Sequence, residues 1–243
     1  MYKIRTYTLV AALLSCLFFN SANAALVELI VTGDITSTNG STRPTVGSSV
    51  TIRALYDNSI PDLDLSGDIN KGYFFEPTAG GATALVSTSV TTELGTIEFV
   101  TSSVSSPGAV TAVTQTLAAT QQIFYTSAGS SPFSSNNGFS GVMGNVTPTS
   151  LDFNIVDLDS AYDYLFSDPN VLFSGNSITI SGLTGLEGGV NIYNFAGGAA
   201  DNSSIFTFNA TSLSVNPVPI PASVWLFCSG LIGLISMAKR RKV

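Results

Sequence analysis

Val50, Ile52, Ala54 and Tyr56 stand at every second position, separated by Thr51, Arg53 and Leu55. Side chains of an extended backbone point alternately to opposite faces, so this spacing buries one row only as a β-strand. The same period returns in Leu151, Phe153 and Ile155 around Asp152 and Asn154. It returns again in Ile178 and Ile180, and in Phe206 and Phe208 flanking Thr207. Similar runs lie at 26–32, 97–100, 122–126, 190–195 and 213–215. Period two, β-branched enrichment and frequent Gly/Asn breaks predict about eight to ten short antiparallel strands. With one face buried, these predict an all-β fold, a two-sheet β-sandwich of jelly-roll-like kind. No long stretch has a helical period; 160–166, with Tyr162, Leu165 and Phe166, is at most a helical turn or two.

The first 24 residues read as a secretory signal peptide. Lys3 and Arg5 make the positive start, 9–19 the apolar run, and Ala22-Asn23-Ala24 an Ala-x-Ala site. Signal peptidase is expected to cut between Ala24 and Ala25. Leu13-Leu14-Ser15-Cys16 loosely resembles a lipoprotein box, but Leu14 fits poorly and the apolar run continues past the cysteine. The other cysteine, Cys228, lies in the tail, so the span between holds no cysteine and no disulfide. A domain of about 190 residues buries enough core without one.

Charge is segregated. Lys3 and Arg5 precede the expected cut, and four more basic residues end the chain. The exported domain, 25–216, keeps three bases (Arg43, Arg53, Lys71) against all sixteen acids, a net of −13. Such a domain repels polyanions, which excludes nucleic acid as a partner.

The tail, 217–243, has three parts in order: a proline-stiffened motif, an apolar span and a basic end. The motif is Val218, Pro219, Ile220, Pro221 and Ala222. The span, 222–238, has no charged residue and carries Trp225, Leu226, Phe227, Gly230, Leu231, Gly233 and Leu234. As a helix its last sixteen residues measure roughly 24 Å, against about 30 Å for a bilayer core, a gap that flanking stems and local thinning close. Lys239, Arg240, Arg241 and Lys242 hold that end on the cytoplasmic side. Asn216 to Pro221, with its alternating prolines, predicts an extended, polyproline-like linker outside any sheet ladder.

This tail resembles the PEP-CTERM sorting signal of Gram-negative bacteria, in the variant that reads Val-Pro-Leu-Pro-Ala before a Trp-Leu-Phe-x-Ser-Gly-Leu helix. Ile220 stands where Glu or Leu is usual, and Cys228 where Gly is common. The resemblance implies an exosortase substrate. Its precursor is held in the inner membrane, then transferred to the cell surface or extracellular matrix of an exopolysaccharide-producing cell, in a structural or adhesive role.

Within the domain, Asp62, Asp64, Ser66 and Asp68, with Gly67 and Asn70, place oxygens at alternate positions like the first half of a calcium loop. Tyr73 stands where the closing Glu of an EF-hand belongs, and no helical pattern flanks the segment. Asx-turn capping accounts for the same residues without a metal. No other cofactor is indicated.

Catalysis has little to work with. The chain has no histidine, which removes Ser-His-Asp triads and histidine metal sites. A two-carboxylate glycosidase has formal candidates in Asp152, Asp157, Asp159 and Asp163, but sixteen acids in one domain cluster by chance. Gly185, Gly188 and Gly189 sit among strands with no helix or lysine to make a phosphate loop. The chain therefore reads as a non-enzyme. The alternative to a structural protein is a lectin-like module that holds carbohydrate, with calcium or without. Its aromatic platforms would come from Tyr73, Tyr125, Tyr162, Tyr164 and Tyr193, since Trp225 belongs to the tail.

Overall fold

A computed structural model describes residues 26–60, 71–73, 84–101, 111–118, 121–129, 138–157, 178–195 and 202–218. They are almost wholly strand. In chain order these are β1 (Leu26–Gly40), β2 (Ser49–Asp57), β3 (Lys71–Tyr73), β4 (Leu85–Thr92), β5 (Gly95–Val100) and β6 (Thr111–Ala118). There follow β7 (Gln121–Gly129), β8 (Phe139–Gly141), β9 (Ser150–Asp157), β10 (Ile178–Ser181), β11 (Leu186–Asn194) and β12 (Asn202–Pro217). Every pairing is antiparallel, and the strands hydrogen-bond along one path, β3-β6-β7-β9-β11-β12-β1-β2-β4-β5-β8. Strand β10 shares with β11 the edge of β12 that β1 leaves open.

The alternating residues of the sequence do what their spacing requires. Val27, Leu29 and Val31 of β1, Val50, Ile52, Ala54 and Tyr56 of β2, and Leu151, Phe153 and Ile155 of β9 are all buried. Each Val, Leu, Ile and Phe among them contributes about 1.5–3 kcal/mol by leaving water, so a one-residue slip in any strand would expose its whole inner row. The path is continuous, yet it curls until its halves face each other. The hydroxyls of Tyr56 on β2 and Thr126 on β7 meet in the interior at 2.9 Å. Phe99 of β5 and Phe139 of β8 add a tilted ring pair with centroids 4.8 Å apart.

At the seam of β1, β12 and β11 the packing depends on missing side chains. The Phe208 ring lies across Gly188, where an added Cβ would stand 2.1 Å from Cζ. On the other side of β12, a Cβ on Gly33 would stand 2.4 Å from the Asn209 carbonyl and 2.7 Å from Phe208 Cδ2. The register shifts between Thr32 and Gly33 at this crowded point, where Thr211 is the extra residue, a β-bulge that lets β12 bend with the curl.

Several strands run further than the sequence pattern predicts. Ser127–Gly129 extends β7 and Phe139–Gly141 forms β8, inside a Ser/Gly/Asn-rich stretch whose composition indicates a loop. Strands β4 and β6 carry so many Ser and Thr that no apolar alternation marks them. Asn216 and Pro217 close β12 against Glu28 and Val27, which corrects the expectation of a linker outside the ladder. The reason is parity. Val218 donates its amide to the Leu26 carbonyl at 2.9 Å, so the nitrogen of Pro217, one residue back, faces the opposite edge, where the missing N–H breaks no bond to β1.

Candidate functional site

The signal peptide with Ala22 and Ala24, the motif from Pro219 on, the 222–238 span and Lys239–Lys242 lie outside the described residues. So do Asp62, Asp64, Ser66 and Asp68, the candidate calcium ligands, and Asp159 and Asp163. Asp57, at the head of that acidic segment, does make an Asx turn, accepting the Ser59 amide at 2.9 Å. Among the described residues no three His, Cys, Asp or Glu side chains come together as a metal site, and no helix is long and apolar enough to cross a membrane.

Two places on the sheet bear on function. The first is where β12 closes on β1. Val218, the first residue of the proline-rich motif, is hydrogen-bonded to Leu26, two residues past the expected signal peptidase site. The two ends of the domain therefore leave the sheet at one corner, held by its longest pairing.

The second is the outer face of β7, β9 and β11. Residues of one parity on these strands face away from the core: Tyr125 and Ser127, Asp152 and Asn154, Asn191 and Tyr193. Register sets Ser127 beside Asp152 and Asp152 beside Asn191, and sets Tyr125 beside Asn154. Ser127 donates its hydroxyl to Asp152 Oδ1 at 2.6 Å. Burial holds the Asp152 carboxyl above the usual carboxylate range, against the hydrogen bonds from Ser127 and Tyr125 that favour its charge. Burial first, and then the Asp152 charge, push the Tyr125 hydroxyl up in turn. Gly189 leaves room for the Asn154 amide, since a Cβ there would stand 2.6 Å from Asn154 Oδ1. Tyr193 packs against Phe195 with centroids 5.4 Å apart, and the end of β11 beside them is pinned by Thr149, whose amide donates to the Tyr193 carbonyl at 2.8 Å. Tyr125, Tyr193 and Asp152 are each legible in the sequence as single candidates. Their convergence is not, because it is set by pairings between residues remote in sequence, such as Tyr125 with Asn154, Asp152 with Asn191 and Ser150 with Tyr193.

A shallow groove elsewhere, lined by Glu28, Arg53, Ser87, Ser89 and Glu98, holds an exposed ion pair, Arg53 Nη1 to Glu28 Oε1 at 3.4 Å. Exposed pairs of this kind contribute about 0.2–1 kcal/mol.

No family model matches the chain, and no curated protein does. Among solved structures, the dehydratase domain of RzxB from Pseudomonas fluorescens aligns at 9% identity over 84% of this chain and 82% of its own, with a TM-score of 0.18. An alginate lyase from Pseudomonas aeruginosa aligns at 11% identity over 83% of this chain and 60% of its own, with a TM-score of 0.14. Likeness of that degree carries no inference about fold or activity.

Proposed function

We propose that the chain is an exported cell-surface or extracellular-matrix protein with a structural or adhesive role, cut and transferred at its tail by an exosortase-type enzyme. Signal peptidase removes 1–24, the 222–238 helix holds the precursor in the inner membrane, and the domain works among exopolysaccharide outside. On this reading the halves of the curled sheet serve as the two layers of a jelly-roll-like β-sandwich.

The observation that carries the reading is that the two ends of the described ladder meet. Among the described residues Val218 donates its amide to the Leu26 carbonyl, so the start of the proline motif lies beside a residue two past the expected signal peptidase cut. A processing enzyme needs extended backbone in its cleft, and Pro219 and Pro221 supply it immediately beyond the sheet.

The test is the mass of the C-terminal peptide of the surface protein, in cells with and without the exosortase. Replacing Pro219 and Pro221 with Ala should leave the protein in the membrane at full mass less the signal peptide. A mature surface protein that still carries Trp225 through Val243 in exosortase-positive cells would make the tail a plain anchor and end the sorting reading.

A further inference from the structure

We propose that the outer face of β7, β9 and β11 is a binding site for neutral oligosaccharide, with Tyr125 and Tyr193 flanking the Asp152 carboxylate. The proposal adds a ligand to the adhesive reading but does not depend on how the tail is processed.

The face has the parts that a sugar needs. A pyranose ring offers apolar C–H faces and a rim of hydroxyls that both donate and accept. Half-buried tyrosines present a ring to the first and a hydroxyl to the second. Between them lie an acceptor in Asp152, donor-acceptor amides in Asn154 and Asn191, and a hydroxyl in Ser127, all on adjacent register positions. A carboxylate with two oxygens accepts from neighbouring hydroxyls of one ring, the strongest kind of hydrogen bond available to a polyol.

Dimensions agree as well. Strands lie about 4.8 Å apart, and same-face residues along a strand about 6.7 Å apart. Tyr125 and Tyr193 are two strands and two rows apart, roughly 16 Å, with Asp152 between them. Those are backbone positions; the side chains lean inward, the Tyr125 hydroxyl reaching Asp152 and lying within electrostatic reach of Tyr193, so the two rings bracket a short stretch of glycan over the carboxylate.

Charge selects neutral sugars over uronates. Arg53 sits on β2 in its ion pair with Glu28, and Arg43 donates to the Gly40 carbonyl, both away from this face. Lys71 on β3 is three strands and two rows from Asp152, roughly 20 Å along the sheet. An acidic glycan would thus meet the Asp152 carboxylate, within a domain of net −13, without a neighbouring cation.

The experiment is calorimetric titration of the full chain in detergent micelles with laminarihexaose, cellohexaose and hexagalacturonate. At least one neutral hexasaccharide is expected to bind, and hexagalacturonate at least tenfold more weakly. Tyr193→Ala and Asp152→Asn should each weaken the neutral ligand about tenfold, with the circular-dichroism spectrum unchanged. Thr91→Ala, on the outer face of β4, should leave binding as it was. Loss of a tyrosine ring is expected to act on both neutral sugars, so Tyr193→Phe, which keeps the ring, should recover most of the affinity. Absence of neutral binding above the empty-micelle control, preference for hexagalacturonate, or affinity unmoved by both Tyr193→Ala and Asp152→Asn would each overturn the site. Tail processing is read separately by peptide mass, so failure of one proposal leaves the other to its own test.

Discussion

The hydroxyl of Tyr56 on β2 lies 2.9 Å from that of Thr126 on β7, five hydrogen-bonded neighbours away around the sheet. Both side chains are buried, so neither hydroxyl can turn to water instead. The contact is polar, directional and made between the two halves of the curl. It fixes how the halves slide over each other in a way that apolar packing alone does not.

Tyr56→Phe should therefore cost about 1–3 kcal/mol, mostly by leaving the Thr126 hydroxyl buried without that partner. Thr126→Val should cost a similar amount, and the double variant clearly less than the two losses added. Urea unfolding of the full chain in micelles measures all three. Strict additivity would mean that the pair does not interact.

The same tyrosine sets an alkaline limit. Burial pushes the Tyr56 hydroxyl far above the ordinary phenol value, although the bond to Thr126 opposes the shift. A group whose pKa is raised on folding contributes stability that is complete below its unfolded pKa, about 10, and is lost as pH rises beyond it. Unfolding free energy should fall from about pH 10 upward in the native chain and less steeply in Tyr56→Phe. Equal slopes would show that another group controls the alkaline limb.

Gly188→Ala tests the seam at Phe208. The new Cβ would stand 2.1 Å from the ring, which has no room to retreat between β1 and β11. Overpacking of this kind costs about 1–3 kcal/mol. Adding Phe208→Leu should make the double variant less destabilised than the two single losses together. A thermal midpoint unchanged in Gly188→Ala would mean that the ring moves freely.

How much of this was legible in the sequence follows from where the information lies. Strands β2, β9 and β12 are visible because Val50–Tyr56, Leu151–Ile155 and Phe206–Phe208 alternate in the plain period of a half-buried strand. Strands β4 and β6 are not, because both are rich in threonine and serine; in β4 the inward positions include Thr88 and Thr92, and Thr88 is buried through a hydrogen bond to the Arg53 carbonyl rather than through apolarity. The curl was out of reach for a different reason. Period two tells which residues share a face, but the register that puts Ser127 beside Asp152, and Asp152 beside Asn191, is set by pairings remote in sequence. Likewise Pro217 reads as a ladder breaker until its parity shows that its nitrogen faces away from β1.

Asp152 is the residue where stability and binding should pull apart. Its carboxyl is largely buried, and desolvation lifts its pKa despite the donors Ser127 and Tyr125. A raised carboxyl contributes stability that is complete below the unfolded value, about 3.9, and that disappears as pH rises through the higher folded value. At neutral pH the charged Asp152 is thus a net burden on the fold. Asp152→Asn keeps the shape and the acceptor for Ser127 but never ionises. The variant should match the native chain near pH 3.5 and become the more stable of the two as pH rises from about 4 to 7, then run parallel to it. Thermal midpoints of both proteins in micelles across that range make the comparison, alongside their affinities for the neutral hexasaccharide. A variant that is more stable at pH 7 yet binds about tenfold more weakly is the signature of a carboxylate held in place for a ligand. A variant that is less stable at pH 7 would instead make Asp152 a structural acceptor for Ser127 and Tyr125, with its charge worth more to the sheet than to a sugar.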